Sequence, residues 1–292
     1  MGEFYALLTA AFWACAVLLF KRSGETLPPF ALNFFRVVVS SILLLVTMLI
    51  LDQAPWRAVP RNDLLTLALS GVIAIALADT FFHASLNRVG AGITAIVDCL
   101  YAPLIAFFAF FMLDEALTLG DLLGMILVLS GILVTAKGSP PTGTTRRTLL
   151  VGVVLGALGM ITLTFGIVLA VPVLENHPVV WATGIRQFAA LAVMLPIAMV
   201  THRTHGTLNI FRLNRSVMKF ALPGTLLGSY LALMFWIAGM KYTEAGSAAI
   251  LNQSSTIYII LLARVFLGES LTKRKILACF LAFSGVLCVI LI

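Results

Sequence analysis

The chain has 292 residues, of which 61% are hydrophobic and only 11% charged, and its formal net charge is +7. A soluble domain would carry about a quarter charged residues, so composition excludes a large water-soluble core and places the chain in lipid. The basic residues lie in short loops between apolar stretches, which argues against a nucleic-acid partner and fits topology signals and contacts with lipid headgroups.

A bilayer core needs about 20 apolar residues per helix. Ten stretches meet that need: 4–20, 30–51, 64–86, 91–113, 119–136, 149–171, 178–200, 217–240, 245–267 and 276–292. Porin-like strands would alternate over about 10 residues, and in lipid the backbone must satisfy its own hydrogen bonds, so these are predicted helices. Span one has no basic leader and no small-residue cleavage site, and reads as a retained helix. Span two opens at Pro28-Pro29 and span seven at His177-Pro178, where proline suits the first helical turn. Arg36 and Arg186 each follow eight residues after Pro28 and Pro178. Spans three and four form a hairpin around Asn87-Arg88-Val89-Gly90, and Thr118-x-x-Asp121 is a capping-box variant that opens span five. Gly120-x-x-x-Gly124 and Gly152-x-x-x-Gly156 read as packing seams. The loop 201–216 is too short to fold alone. Cys15, Cys99, Cys279 and Cys288 all fall inside spans, which indicates neither a disulfide framework nor a metal site, and no metal or cofactor is expected.

The second half repeats the first at a shift of 154 residues. Ala91-Gly92-Ile93-Thr94-Ala95-Ile96 falls on Ala245-Gly246-Ser247-Ala248-Ala249-Ile250, Glu115-Ala116-Leu117-Thr118 on Glu269-Ser270-Leu271-Thr272, and Ser130-Gly131 on Ser284-Gly285. Five spans is an odd number, so the second copy enters the membrane from the opposite side, as in many secondary transporters. The expected fold is an all-α integral membrane protein with ten transmembrane helices in two inverted five-helix repeats. Residues 1–137 form the first repeat, 138–145 a linker and 146–292 the second. Such a protein is multi-pass and belongs in the cell (inner) membrane if its source is bacterial or archaeal.

Pro-x(7)-Arg in spans two and seven, Ala-Gly at the start of spans four and nine, and Glu-x-Leu-Thr followed by Ser-Gly resemble the EamA family of the drug/metabolite transporter superfamily, over nearly the whole chain. The resemblance implies ten helices in an inverted five-plus-five arrangement, with a central cavity lined mainly by spans one, three, four, six, eight and nine. It also implies cargo drawn from amino acids, other small metabolites and drugs. The chain departs from the pattern where Pro103 is matched by Ile257 and Gly124 by Ala278.

Ionisable groups inside spans are costly and are functional candidates by default. Asp79 lies eight residues before the span three–four turn and Asp98 eight after its last residue, so both sit roughly 12 Å below it at 1.5 Å rise per residue. Arg36 enters from the same side and reaches a similar depth. The expectation is that Arg36 neutralises one aspartate and leaves the other to bind a proton or a cationic substrate. His83 lies one turn from Asp79 and could extend a proton relay. Alternatively, these groups form a structural ion pair that locks spans two, three and four. In the second repeat Asp98 maps to Asn252 and Asp79 to Leu233, so that half keeps Arg186 but no intramembrane acid. Asn252, Ser255 and Thr256, with Gln253 beside them, share a face of span nine that corresponds to the Asp98 and Tyr101 face of span four. These residues read equally as cavity lining or as polar glue between helices. Trp13, Tyr230 and Trp236 are candidate aromatic walls, and Glu115 and Glu269 read as structural span ends first and gating groups second.

Loops after odd-numbered spans, counted with Lys219 in the first turn of span eight, carry thirteen Lys and Arg, whereas loops after even-numbered spans carry three, Arg57, Arg61 and Lys241. The positive-inside rule therefore puts both termini outside, while the family resemblance implies both inside; the two disagree. The leading functional reading is a secondary carrier, an exporter of small metabolites such as amino acids, working by alternating access with protons as the candidate coupling ion. A lipid or lipid-linked-sugar flippase of the same fold is the alternative. An intramembrane enzyme is disfavoured because the chain has no HExxH, P-loop or nucleophile–base motif. The expected partners are a small-molecule substrate and membrane lipids, in a monomer or weak homodimer.

Overall fold

The computed structural model describes residues 2–137, 144–174, 176–205, 207–212, 217–236 and 251–291. Within these residues the chain is helical and has no strand. The helices are α1 (Gly2–Ser23), α2 (Pro29–Ile50), α3 (Arg61–Val89), α4 (Ala91–Met112), α5 (Leu119–Ala136), α6 (Arg146–Leu174), α7 (Val179–His205), α8 (Val217–Trp236), α9 (Ser255–Phe266) and α10 (Lys273–Leu291). All except α9 have a described length and hydropathy sufficient to cross a membrane, and the protein is an integral, multi-pass membrane protein. The Ala245-Gly246 motif, Lys241, the ends of spans eight and nine and most of the linker lie outside the described residues.

Local chemistry sets the helix ends. The helix α2 starts at Pro29 behind an extended Pro28, where a missing N–H costs nothing. At the start of α5, Thr118 Oγ1 accepts from the Asp121 N–H while the Asp121 carboxylate accepts from the Thr118 N–H, as the capping-box reading expects. The turn between α3 and α4 is tighter than the four-residue reading, because α3 continues to Val89 and only Gly90 breaks the chain. Its φ of 82° suits glycine. Helices α6 and α7 overrun their predicted ends, and Thr207–Arg212 adds a 3-10 turn inside the predicted loop. Arg146, Arg147 and Thr148 at the start of α6, Pro172 near its end and the polar run from Thr201 to His205 at the end of α7 fall outside a reading based on hydropathy, whereas the backbone continues helical.

Structural details recur at the same shift of 154 residues. Asp114 and Gly268 both adopt positive φ, 55° and 68°. The Glu115 N–H donates to the Ala109 carbonyl, and the Glu269 N–H donates to that of Ala263. Thr272 caps the Lys275 N–H as Thr118 caps Asp121. Both α3 and α8 widen into π-helical turns, at Val72–Leu77 and Thr225–Leu231. Packing follows the same exchange: α1 lies against α8 and α9 as α6 lies against α3 and α4, and α2–α7, α4–α9 and α5–α10 meet their own equivalents. A two-fold relation between inverted repeats requires this pattern.

Small residues permit the closest approaches. A methyl on Gly124 would stand 2.5 Å from the Gly285 carbonyl oxygen, and one on Gly285 would stand 2.6 Å from that of Gly124. The backbones of α5 and α10 therefore touch, as the small-residue spacing suggested. Gly152 and Gly156 likewise admit Val89 and Ser85 of α3 against α6.

Candidate functional site

Eight helices surround a cavity of about 360 Å³ in the middle of the bundle; α5 and α10 stay outside it. Trp13 of α1, Asp79 of α3, Asp98 and Tyr101 of α4, Trp236 of α8, Asn252 and Gln253 just before α9, and Ser255 and Thr256 at its start all line it. The faces of spans four and nine therefore meet one space. Arg36 and Arg186 line it too, with Thr183 and Gln187. This extends the lining that the family resemblance implied, because α2 and α7 reach the cavity through their arginines.

The two aspartates have different surroundings. Asp79 forms an ion pair with Arg36. Arg36 also donates to Asn33 Oδ1 through Nη2 at 3.1 Å and to Ser229 Oγ through Nη1 at 3.2 Å. Asp98 lines the same cavity with no ion pair or hydrogen bond from any described residue, and its Oδ1 is buried without a partner. Arg186 mirrors it with opposite charge: it lines the cavity, its Nε is buried without a partner, and no described residue pairs with it. Its backbone is fixed, since a methyl on Gly71 would overlap the Arg186 carbonyl and α3 therefore lies directly on α7 there. One buried charge pair is thus satisfied within the protein, and two opposite charges stay open to the cavity.

Asn33 was missed from sequence. Its Nδ2 donates to the carbonyls of Ile75 and Ala76 at 3.0 and 3.2 Å, and to Thr80 Oγ1 at 3.0 Å. These carbonyls belong to the widened turn of α3, where the π-helical backbone disturbs the regular ladder. Asn33 thereby joins that turn to Arg36, and Arg36 in turn reaches Ser229 in the widened turn of α8. The available signal was a buried amide one helical turn before an arginine, Asn33-x-x-Arg36, in an otherwise apolar span.

Other candidates fall elsewhere. His83 is 1% exposed and set behind the cavity wall, edge-on to Phe20 and Phe82 with ring centroids at 5.1 and 5.4 Å. Neither of its nitrogens has a hydrogen-bond partner among the described residues, so no hydrogen-bonded path runs from it to Asp79. Tyr230 is absent from the cavity lining and instead joins α8 to α2, its hydroxyl 2.8 Å from Thr47 Oγ1. Of the three expected aromatic walls, Trp13 and Trp236 line the cavity and Tyr230 does not, while Tyr101 adds a third ring to the lining. Gln253 donates to Cys99 Sγ at 3.6 Å and to Thr256 Oγ1 at 3.5 Å, so this part of α9 serves as glue to α4 as well as lining.

Glu115 and Glu269 are unlike each other. Glu269 accepts from the Ala91 N–H at 2.6 Å and the Gly92 N–H at 3.1 Å, and pairs with Lys275 at 2.8 Å. It ties the end of α9 to the first turn of α4, whose N-terminal N–H groups favour an anion. Glu115 is exposed and makes no side-chain hydrogen bond or ion pair with a described residue.

The sequence matches the EamA-like transporter family over residues 1–137 and again over 150–291. A protein of Archaeoglobus fulgidus described as an uncharacterized transporter is 21% identical over 283 residues, covering 97% of this chain and 96% of that protein. Uncharacterized transporter YyaM of Bacillus subtilis is 29% identical over 110 residues, 38% of this chain and 33% of its own length. A protein of known crystal structure superposes with a TM-score of 0.64 at 17% identity, covering 98% of this chain and 95% of that one, a likeness of fold alone.

Proposed function

Because the chain belongs to the EamA-like transporter family, we propose that it is a secondary carrier that exports small zwitterionic metabolites of the amino-acid type by alternating access, with protons as the coupling ion. The carrying observation is a pair of opposite charges, Asp98 and Arg186, that have no partner among the described residues and line one cavity of about 360 Å³. An amine toward Asp98 and a carboxylate toward Arg186 would satisfy both groups, and Met160, Leu163 and Ile167 offer an apolar wall for a side chain. Charge pairs are stronger in such a water-poor site than in bulk solvent. The volume lies at the small end of ligand cavities, about 300–1,000 Å³, which suits a single small molecule better than a two-chain lipid.

An unpaired carboxylate at this depth carries a desolvation cost, and either a cationic amine or a proton removes it. Asp98 is therefore the residue at which proton and substrate would exchange. The Arg36–Asp79 pair, held by Asn33 and Ser229, is the structural member of the site. Residues 1–137 and 146–292 would act as the two bodies that rock about the site.

Competition in proteoliposomes among an amino acid, its methyl ester and its decarboxylated amine tests the reading. The intact zwitterion should compete best, and the other two should lose at least about tenfold each, the worth of one charge-assisted contact. Equal competition by all three would remove the two-charge site.

A further inference from the structure

A second cavity, of about 660 Å³, lies at the end of the bundle that carries the α3–α4 turn, outside the central site. Its polar walls come mainly from Lys21 at the end of α1, the turn from Asn87 to Gly90, and the segment from Leu267 to Lys275, with Ile93 of α4 and Val134 and Thr135 of α5 closing the remaining sides. They bring together Lys21, Arg88, Lys273, Arg274 and Lys275, against one carboxylate, Glu269. That carboxylate is already satisfied by two backbone N–H groups and by Lys275. Lys21 also feels the Glu269 and Glu25 carboxylates, whereas Arg88, Lys273 and Arg274 have no carboxylate partner among the described residues. Lys21 and Arg88 rest on the backbone carbonyls of Asn87 and Ala84 at 3.1 and 2.9 Å, and Arg274 reaches the Lys137 carbonyl at 3.5 Å. Each of these heads is positioned and keeps donors to spare.

The repeat relation makes the excess more telling. The first turn of α5 carries Asp121, which suits the positive end of a helix. The equivalent place in α10 is Lys275, behind Lys273 and Arg274, so three cations crowd a helix end that already repels them. Topology requires positive charge in the loops on one side of the membrane. It does not require charges from three segments to converge on one concavity.

We propose that this cavity binds a phosphate-bearing anion, with the headgroup of an anionic phospholipid as its source. Lys273, Arg274 and Arg88 meet the phosphate, and Val89, Ile93, Val134 and Leu267 on the same walls accept apolar glycerol and acyl groups. Because Lys275 already pairs with Glu269, the anion draws on the other cations.

The test is thermal unfolding of the purified full-length protein in neutral detergent, with added phosphatidylglycerol, phosphatidylcholine or inorganic phosphate. Phosphatidylglycerol should raise the midpoint above that in phosphatidylcholine by roughly 3 °C or more, and the gain should shrink as salt rises. The Lys273→Gln, Arg274→Gln double variant should lose at least half of the gain, whereas Arg61→Gln, whose exposed side chain lies outside the cavity, should keep it. If the double variant does not fold, Arg88→Gln takes its place. A gain from inorganic phosphate alone, lost in the same variant, keeps the site and makes its occupant a soluble phosphate. No gain from either anion, or a gain undiminished in the variants, overturns the proposal.

Discussion

Replacing Glu269 with Gln isolates the contact that holds one end of the bundle. The carboxylate accepts two N–H groups of the α4 first turn, at 2.6 and 3.1 Å, and pairs with Lys275 at 2.8 Å. Hydrogen bonds to a charged group contribute about 1.5–3 kcal/mol each. Gln keeps one acceptor oxygen but loses the charge, one N–H contact and the ion pair. The Lys275 pair adds to this cost, since its two side chains are only 12% and 17% exposed. A net loss of about 2 kcal/mol for the tied conformation is therefore reasonable, roughly a 30-fold shift in its equilibrium with an untied one. Ile93 lies one turn into α4 and is 7% exposed, so Ile93→Cys reports on the opening. Its labelling by a membrane-impermeant maleimide, corrected for the four native cysteines, should rise by about tenfold or more when Glu269→Gln is added. Labelling and transport both unchanged would mean that Glu269 only shapes a helix end and takes no part in opening.

The two aspartates should separate cleanly. Asp98→Asn should fold with a normal unfolding midpoint and lose transport; wild-type flux in proteoliposomes would count against it. Asp79→Asn leaves Arg36 buried without its counter-ion, and should cost about 3–5 kcal/mol, read as a large fall in thermal stability. Asn33→Leu strands the Ile75 and Ala76 carbonyls and should cost about 1–3 kcal/mol per unsatisfied group, with slowed turnover; an unchanged midpoint would refute the bridging role. Gly124→Val forces a side chain onto the Gly285 backbone and should lower stability by about 1–3 kcal/mol while leaving substrate competition unchanged.

Hydropathy and the shift of 154 residues made the architecture legible, because lipid imposes span length on every helix and repeats preserve it. The convergence of Asp79, Asp98 and Arg36 was legible as depth, since rise per residue is fixed. Which aspartate Arg36 would take was not, because it depends on helix rotation, which spacing does not encode. The same gap explains Tyr230 and His83. Each lies in a span that lines the cavity, but Tyr230 turns toward Thr47 and His83 toward Phe20. Asn33 was missed because its partners are backbone carbonyls exposed by a π-helical turn, and no residue pattern in Val72–Leu77 announces that turn.

The two halves share a backbone plan but not a charge plan, and this bears on how such a carrier would work. In a chain with identical repeats, exchanging their conformations would give a second state of equal energy, and cargo alone would set the direction. Here Asp98 faces Asn252 across the repeat relation, Asp121 faces Lys275, and Glu269 holds the start of α4 while Glu115 stands exposed. The two states are then built from different contacts, and their energies need not match. A ligand shifts such an equilibrium only by its difference in affinity for the two states. On the proposed reading Asp98, which has no partner among the described residues, would supply that difference, because a proton and an amine would each relieve the same carboxylate but only a zwitterion's amine would bring a carboxylate for Arg186 to hold.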